Sequence, residues 1–270
     1  MLDFKNMSYV EFISFIKETN RCPGGKDTIN WILQNSFANK DTRALEVGSN
    51  TGFSSLEVAR SVKCRISGIE VVPEAVTIAN HELSLDTAEI QNLVDFQVAS
   101  AYDIPFESNT FDLIIAGGST SFMDDKSKAI TEMERVLKPW GFLSVTNLFY
   151  DREPPKKVLD DVSDVIGVRI NPLKAHDWID VYTQTQEFEI YKLEQVTLSD
   201  RSVEEIDAYI DFFLNKPHIA KLSAKEKSEL QAKWKYILKV FNENHKYLGF
   251  IRALLRKRHI EEEPELFKLT

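Results

Sequence analysis

Ala44-Leu45-Glu46-Val47-Gly48-Ser49-Asn50-Thr51-Gly52-Phe53 is the stretch that decides the fold. An apolar run reads as a strand over Arg43–Val47, two glycines bracket a short polar loop, and a helical pattern follows from about Ser54 to Val62. Glycine at Gly48 and Gly52 lets the chain turn sharply and lets a ligand come close to the backbone. Strand, glycine loop and helix are the first half of a βαβ unit.

Working outward, the alternation continues. Arg65–Glu70, Val94–Val98, Phe111–Ala116 and Gly141–Phe149 read as further strands. Helical patterns fall between them at Glu74–Leu85 and Asp125–Leu137, the latter with Ile130, Met133, Val136 and Leu137 on one face. Right-handed crossovers place such helices on both faces of a mostly parallel sheet. Two helices precede this core. The first opens with the capping box Ser8/Glu11 and buries Tyr9, Phe12, Ile13 and Ile16; Asp27 is expected to cap the second.

Beyond Phe149 the pattern changes. A helix is expected from Pro154–Pro155 to about Gly167, another over Ala175–Gln186, and a strand over Glu189–Leu198. Capping boxes at Ser202/Glu205 and Ser223/Glu226 open two more helices, and a last strand spans about Tyr247–Leu255. The expected fold is therefore α/β: a doubly wound, Rossmann-like, mostly parallel seven-stranded sheet. N-terminal helices and a helical cap inserted between late strands complete it. The whole of 1–270 reads as one domain, with 1–40 a helical lid, 41–150 the cofactor-binding core and 151–270 the late strands with their cap.

The bulk numbers set limits. With 270 residues, 43% of them hydrophobic, the chain can bury a large core. The formal net charge of -9 argues against nucleic acid as a partner, because that affinity comes from Lys and Arg neutralising phosphates. The basic run Arg252, Arg256, Lys257 and Arg258 is followed at once by Glu261, Glu262 and Glu263, as in a solvated chain end. Cys22 and Cys64 supply no disulfide framework, no stretch has the length of a membrane span, and the start lacks a signal peptide pattern. A cytoplasmic protein without a membrane partner is expected, with a homodimer left open.

The glycine loop also narrows the ligand. A dinucleotide fingerprint wants three glycines that bring N–H groups to a pyrophosphate. Here Gly48 and Gly52 stand alone behind Glu46. A carboxylate aimed into that loop repels a pyrophosphate and suits a cofactor carrying an ammonium and a sulfonium, which S-adenosylmethionine does.

With these residues in view, the chain resembles the class I S-adenosylmethionine-dependent methyltransferase superfamily, in its small-molecule branch, over about residues 27–150. The resemblance implies that Glu46 orients the methionine amino group of the cofactor while Gly48, Ser49, Asn50, Thr51 and Gly52 pass beside it. It implies that Glu70, in Ile69-Glu70-Val71-Val72-Pro73-Glu74, takes both ribose hydroxyls, as a carboxylate can, with Val71 next to it. In Ser100-Ala101-Tyr102-Asp103-Ile104-Pro105-Phe106 the family's usual acid is replaced by Ser100, and Ala101 and Tyr102 become the adenine neighbours. Gly117, after Phe111–Ala116, falls beside the methionine moiety. Glu134–Gly141 matches the family's turn before the fifth strand. S-adenosylmethionine is the implied cofactor and a small-molecule O, N or C nucleophile the implied methyl acceptor.

Other motifs are weaker. Cys22-Pro23-Gly24-Gly25-Lys26 is similar to a loop of RNA cytosine methyltransferases, but no β-run precedes it and no catalytic cysteine pair follows the fourth strand. As a bend between two helices it places Arg21 or Lys26 where either could meet an anionic group. The five histidines form no metal-ligand pattern, so no metal is expected. His176, with Asp177 beside it, is the candidate general base, since imidazole titrates near neutrality. Trp178, Tyr182 and Trp234 are candidate pocket or core aromatics. The Pro-Gly-Gly bend is a pivot, and residues 1–26, 155–187 and 202–244 are expected to form a lid that orders with ligand. Two other readings stand beside methyl transfer: a non-catalytic assembly module that keeps this fold, and an NAD(P) oxidoreductase.

Overall fold

Apolar runs that must be covered on both faces make the central strands. The structure, a computed structural model, describes residues 3–19, 22–185 and 187–258, with only the backbone of Val10. The helices α1 (Tyr9–Ile16) and α2 (Gly25–Asn35) come first. Then follow β1 (Arg43–Val47), α3 (Phe53–Val62), β2 (Arg65–Glu70), α4 (Pro73–Ser84), the short α5 (Ala88–Gln91) and β3 (Val94–Val98). Next are β4 (Phe111–Ala116), a 3₁₀ turn at Ser119–Phe122, α6 (Lys126–Val136) and β5 (Leu137–Tyr150). The rest is α7 (Lys156–Ile166), α8 (Ala175–Thr183), β6 (Phe188–Thr197), α9 (Val203–Leu214), α10 (Pro217–Ala220), α11 (Ala224–His245) and β7 (Leu248–Lys257).

The seven strands form one sheet in the order β3-β2-β1-β4-β5-β7-β6. The pairs β1–β2, β1–β4, β2–β3 and β4–β5 are parallel. Leu198 donates its N–H to Leu248 at one end of β6–β7 and Arg258 donates to Glu187 at the other, so these two strands run antiparallel. The expected α/β fold, a doubly wound and mostly parallel seven-stranded sheet, is the one observed. The order reverses between β1 and β4, which makes the carboxyl ends of those strands the switch point where α/β sheets bind ligands.

Three boundaries differ from the sequence reading by about three residues or more, and three short elements were not expected. The second helix is capped by Gly24 at φ 80°, not by Asp27, which lies within its first turn. β5 starts at Leu137 instead of Gly141, because Lys138–Gly141 bulges from a continuing strand: pairing jumps from Phe111↔Leu137 to Leu113↔Phe142, with Trp140 at φ 64°. α8 ends at Thr183, short of Gln186, which lies outside the described residues. The four-residue α5, α10 and 3₁₀ turn carry too few positions to show a period. All three expected capping boxes form.

The chain divides into two compact units. The first comprises 21–147, 179–194 and 252–270. Its core joins Ile29, Ile32, Leu56, Val58, Ile66, Phe96, Leu113, Ile115, Phe142 and Leu254, all buried. Trp31 donates to Glu194 at 2.7 Å, and Arg252 pairs with the same carboxylate at 2.6 Å. The second comprises 1–20, 148–178 and 195–251 and packs Phe4, Phe12, Ile16, Ile210, Phe213, Leu230, Trp234 and Ile237 together. Trp234 is the hub, with the rings of Phe12, Tyr209 and Phe213 about it at 5.7–6.1 Å. Trp178 is buried in this unit with its indole N–H on the Leu148 carbonyl. Among the described residues no helix is long and apolar enough to cross a membrane.

Candidate functional site

The loop between β1 and α3 is shaped by its glycines. Gly48 sits at φ 78° and Gly52 at φ 86°, where other residues are strained. A Cβ on Gly48 would stand 2.4 Å from the Cβ of Ser119, and one on Gly52 would stand 2.6 Å from the Phe96 ring. The loop is thus pressed against the turn after β4 on one side and against β3 on the other. Gly48 and Ser49 both donate to the Ile69 carbonyl, at 2.9 and 3.0 Å. Asn50, at φ 45°, bonds its side chain to the N–H of Thr51 at 2.8 Å. The Ser49 hydroxyl is buried without a hydrogen-bond partner, so a polar atom of this loop awaits one.

Glu46 and Glu70 end neighbouring strands. Glu46 is buried, and its Oε2 accepts from the Ser55 N–H at 2.9 Å and the Ser55 hydroxyl at 2.5 Å. Burial pushes its carboxyl up to about 7 against the pull of these donors from Ser55 and Ser54. Its carboxyl therefore fastens the first turn of α3. Glu70 is half-buried: Oε2 accepts from the Asn50 N–H at 3.1 Å, and Oε1 accepts from Val71 and Val72 at 2.9 and 3.1 Å. Three donors leave lone pairs of this carboxylate open, since two ionised oxygens offer about four. The Val71 side chain is exposed beside it.

After β3 the Ser100–Asp103 segment closes a small turn. The Ser100 hydroxyl accepts from the Tyr102 N–H at 3.1 Å, and the Asp103 N–H donates to the Ser100 carbonyl at 3.2 Å. Ala101 is buried, while Tyr102 is half-buried and its hydroxyl takes the Asp125 N–H at 3.2 Å. The Ala99 N–H donates to the Glu70 carbonyl, so this turn is tied directly to the β2 end.

The turn after β4 completes the site. A Cβ on Gly117 would lie 2.9 Å from that of Cys22, and Pro23 stands 3.7 Å from the corresponding point on Gly118. The Cys22–Gly25 bend therefore packs on this turn. Cys22 itself is buried, and burial, with Glu46 nearby, pushes its thiol up to about 12; a nucleophilic role does not fit. Lys26 pairs with Glu57 at 2.8 Å. Arg21, the other candidate for an anion, lies outside the described residues.

His176 belongs to the other compact unit. Its side chain is 75% exposed, and its Nε2 is 3.4 Å from Asp177 Oδ1, while Asp177 also caps the Lys174 N–H at 2.7 Å. A general base held this loosely gains nothing from the geometry. Among the described residues no cluster of His, Cys, Asp and Glu could hold a metal ion.

Several residues of the site were not singled out from the sequence. Ser55 is one, and the others are Ser119, Thr120, Ser121 and Asn147. Asn147 Nδ2 donates to Thr120 Oγ1 at 2.9 Å and to Ser121 Oγ at 3.1 Å. Tyr182, fully buried, donates its hydroxyl to Asn147 Oδ1 at 2.7 Å and lies 2.6 Å from Thr120 Oγ1. The phenolic proton is thus committed to Asn147, so Thr120 donates to Tyr182 and the ring of bonds closes. An asparagine within the apolar run Phe142–Phe149 is the one sequence signal that could have pointed here.

Residues 45–145 match the Methyltransferase domain family. An uncharacterized protein of Haemophilus influenzae is 25% identical over 91% of this chain and 96% of its own length. An O-methyltransferase of Aspergillus nomiae is 34% identical over 42% of this chain and 49% of its own, so the chain spans about half the length of that enzyme. The crystal structure of the MccD protein superposes with a TM-score of 0.77 at 27% identity, covering 89% of this chain and all of that one. The glycine loop and the sheet order agree with these likenesses, which together support the class I S-adenosylmethionine-dependent methyltransferase family for the segment 45–145.

Proposed function

We propose that the protein transfers a methyl group from S-adenosylmethionine to an O, N or C nucleophile of a small molecule. The observation that carries this reading is the pairing of Glu46 and Glu70 at the carboxyl ends of β1 and β2, on either side of a loop with Gly48 and Gly52 in left-handed conformation. Glu70 would take the ribose hydroxyls with its open lone pairs, and the unpartnered Ser49 hydroxyl would face the methionine end. Burial lets Glu46 hold its proton up to about 7 in the ligand-free chain; an ammonium placed beside it would favour the ionised carboxylate, which a pyrophosphate would oppose. Ala101 and Tyr102 would flank the adenine, and Gly117 would pass beside the sulfonium.

The cofactor supplies a methyl group on a sulfonium leaving group. Held by Glu46, Glu70 and the Gly48–Gly52 loop, it would supply that methyl group to an electron pair of the acceptor. The protein has only to align the acceptor and keep the site dry. This accords with the exposed position of His176, which needs no part in the chemistry. Buried free thiols at Cys22 and Cys64 suit a reducing, cytoplasmic setting.

Thermal unfolding with S-adenosylhomocysteine, NAD or NADP tests the assignment. A ligand at a hundred times its dissociation constant adds about 2.7 kcal/mol. S-adenosylhomocysteine should raise the transition, and the nucleotides should not. Stabilisation by NAD alone overturns the reading. Transfer of labelled methyl into small molecules of a cell extract, with mass spectrometry of the product, separates an enzyme from a non-catalytic module that merely binds the cofactor.

A further inference from the structure

The turn Ser119–Phe122 is held at three of its four residues. The Ser119 hydroxyl donates to the Val47 carbonyl at 2.7 Å, which fixes the turn to the end of β1. Thr120 sits in the closed ring with Tyr182 and Asn147, and Ser121 takes the second amide proton of Asn147. Within the turn, Ser121 donates to the Gly118 carbonyl at 3.1 Å. The fourth residue is Phe122, and it is 81% exposed, more than any other large hydrophobic side chain among the described residues. Single exposed apolar residues are ordinary on flexible surfaces. This one stands on a backbone that buried hydrogen bonds prevent from folding it away.

Its place gives the exposure a direction. The turn leaves the carboxyl end of β4, one side of the switch point, and Ser119 abuts the glycine loop so closely that Gly48 has no room for a Cβ. In a 3₁₀ turn three residues advance about 6 Å. Phe122 therefore lies about that far along the turn from Ser119, the residue that abuts the glycine loop. The segment Gly117–Met123 holds no charged residue, so nothing in it selects an ionic group. We infer that Phe122 is a wall of the methyl-acceptor site, and that the acceptor presents a flat apolar face beside its reacting atom. This rests on the methyl-transfer reading. Phe122 sets which acceptors enter and takes no part in holding the cofactor.

The test uses the full chain saturated with S-adenosylhomocysteine, and ligand-observed saturation-transfer NMR with phenol and indole as flat probes and ethanolamine and glycine as polar ones. The wild-type complex should bind the flat probes and not the polar ones. Phe122→Ala should weaken phenol and indole about tenfold, the effect of removing one partly covered ring, while S-adenosylhomocysteine affinity by calorimetry stays within about twofold. Phe122→Trp should retain the flat probes. Leu85→Ala, at a side chain 69% exposed elsewhere on the same unit, should change neither measurement. Equal probe binding by wild type and Phe122→Ala overturns the inference. So does a wild-type complex that binds neither flat probe, or a loss of cofactor affinity in Phe122→Ala that matches its loss of probes. If the wild-type chain binds no S-adenosylhomocysteine at all, the failure belongs to the methyl-transfer reading instead.

Discussion

β1 and β2 lie side by side and each carries a glutamate at its carboxyl end, Glu46 next to last in β1 and Glu70 last in β2, yet the two ends are built on different terms. At the β1 end the carboxyl turns inward onto Ser55, is buried, and holds its proton up to about pH 7. At the β2 end the carboxylate is half-buried and is gripped by three backbone N–H groups of its own and the neighbouring loop. The inner glutamate stabilises a helix start at the expense of a desolvated charge. The outer one is a preset acceptor with lone pairs to spare. Two carboxyls near the ends of neighbouring strands thus differ in chemistry, because burial decides what a carboxyl can do.

Four measurements can break or sharpen that contrast. The largest effect is expected for Gly48→Ala, which adds a left-handed residue with a Cβ to a space already filled by Ser119. The strain and overpacking together should cost roughly 2–5 kcal/mol in urea unfolding. A variant of wild-type stability would mean that the inner loop is far looser than its contacts imply.

Next comes Glu46→Gln. A carboxyl held near 7 instead of about 4.5 prefers its protonated form in the folded chain. Its favourable contribution is complete below the ordinary carboxylate range and is lost as pH rises through about 7, a change of up to about 3 kcal/mol. Glutamine removes that slope, so the ligand-free variant should be the more stable of the two at pH 8. Binding of S-adenosylhomocysteine to the wild type should strengthen as pH rises from 5 to 7 and then level off, as the bound ammonium drives the proton from Glu46. The variant's binding should be flat over that range. Parallel pH curves for both proteins would place Glu46 outside the ligand's field.

At the outer end, Glu70→Ala should weaken S-adenosylhomocysteine by about 1.5–3 kcal/mol, the range for hydrogen bonds to a charged group. A 2′-deoxyribose analogue should close much of that gap, and calorimetry that finds none of it would remove the ribose from Glu70. The smallest change is expected for Tyr182→Phe, which opens the ring at Asn147 and Thr120 for about 1–2 kcal/mol of stability. Faster hydrogen exchange should then appear at Ser121 and Met123, whose N–H groups close the turn, and remain unchanged at Ser55.

What the sequence made legible follows the same division. β1 to β4 begin and end where the sequence places them: β1, β2 and β4 as near-continuous buried runs, and β3, at the sheet edge, by its alternation. Glu46 and the glycines stood out by their place at the end of the first strand and in the loop after it, and Glu70 through the family resemblance. The inward turn of Glu46 did not, because its partner Ser55 lies nine residues on and is met only once α3 has wound. The ring of Thr120, Asn147 and Tyr182 joins residues 27 to 62 positions apart, and no local pattern encodes such a meeting. Asp27 had the chemistry of a cap, but Gly24 reached the left-handed conformation first and started the helix earlier.

The bulge at Lys138–Gly141 has a consequence for how this chain can vary. One residue of β4, Asp112, is matched there by four of β5, Lys138–Gly141, and regular pairing resumes at Phe142. From that point strand alternation brings Leu143, Val145 and Asn147 to one face, and so delivers the asparagine to Tyr182. The bulge works as an expansion joint: residues gained or lost within it change the length of the slack, while the half of the strand beyond it keeps its phase. The same change inside Phe142–Asn147 would rotate every later side chain to the opposite face. Length differences between this chain and its relatives should therefore collect at 138–141, leaving the six residues that follow uninterrupted.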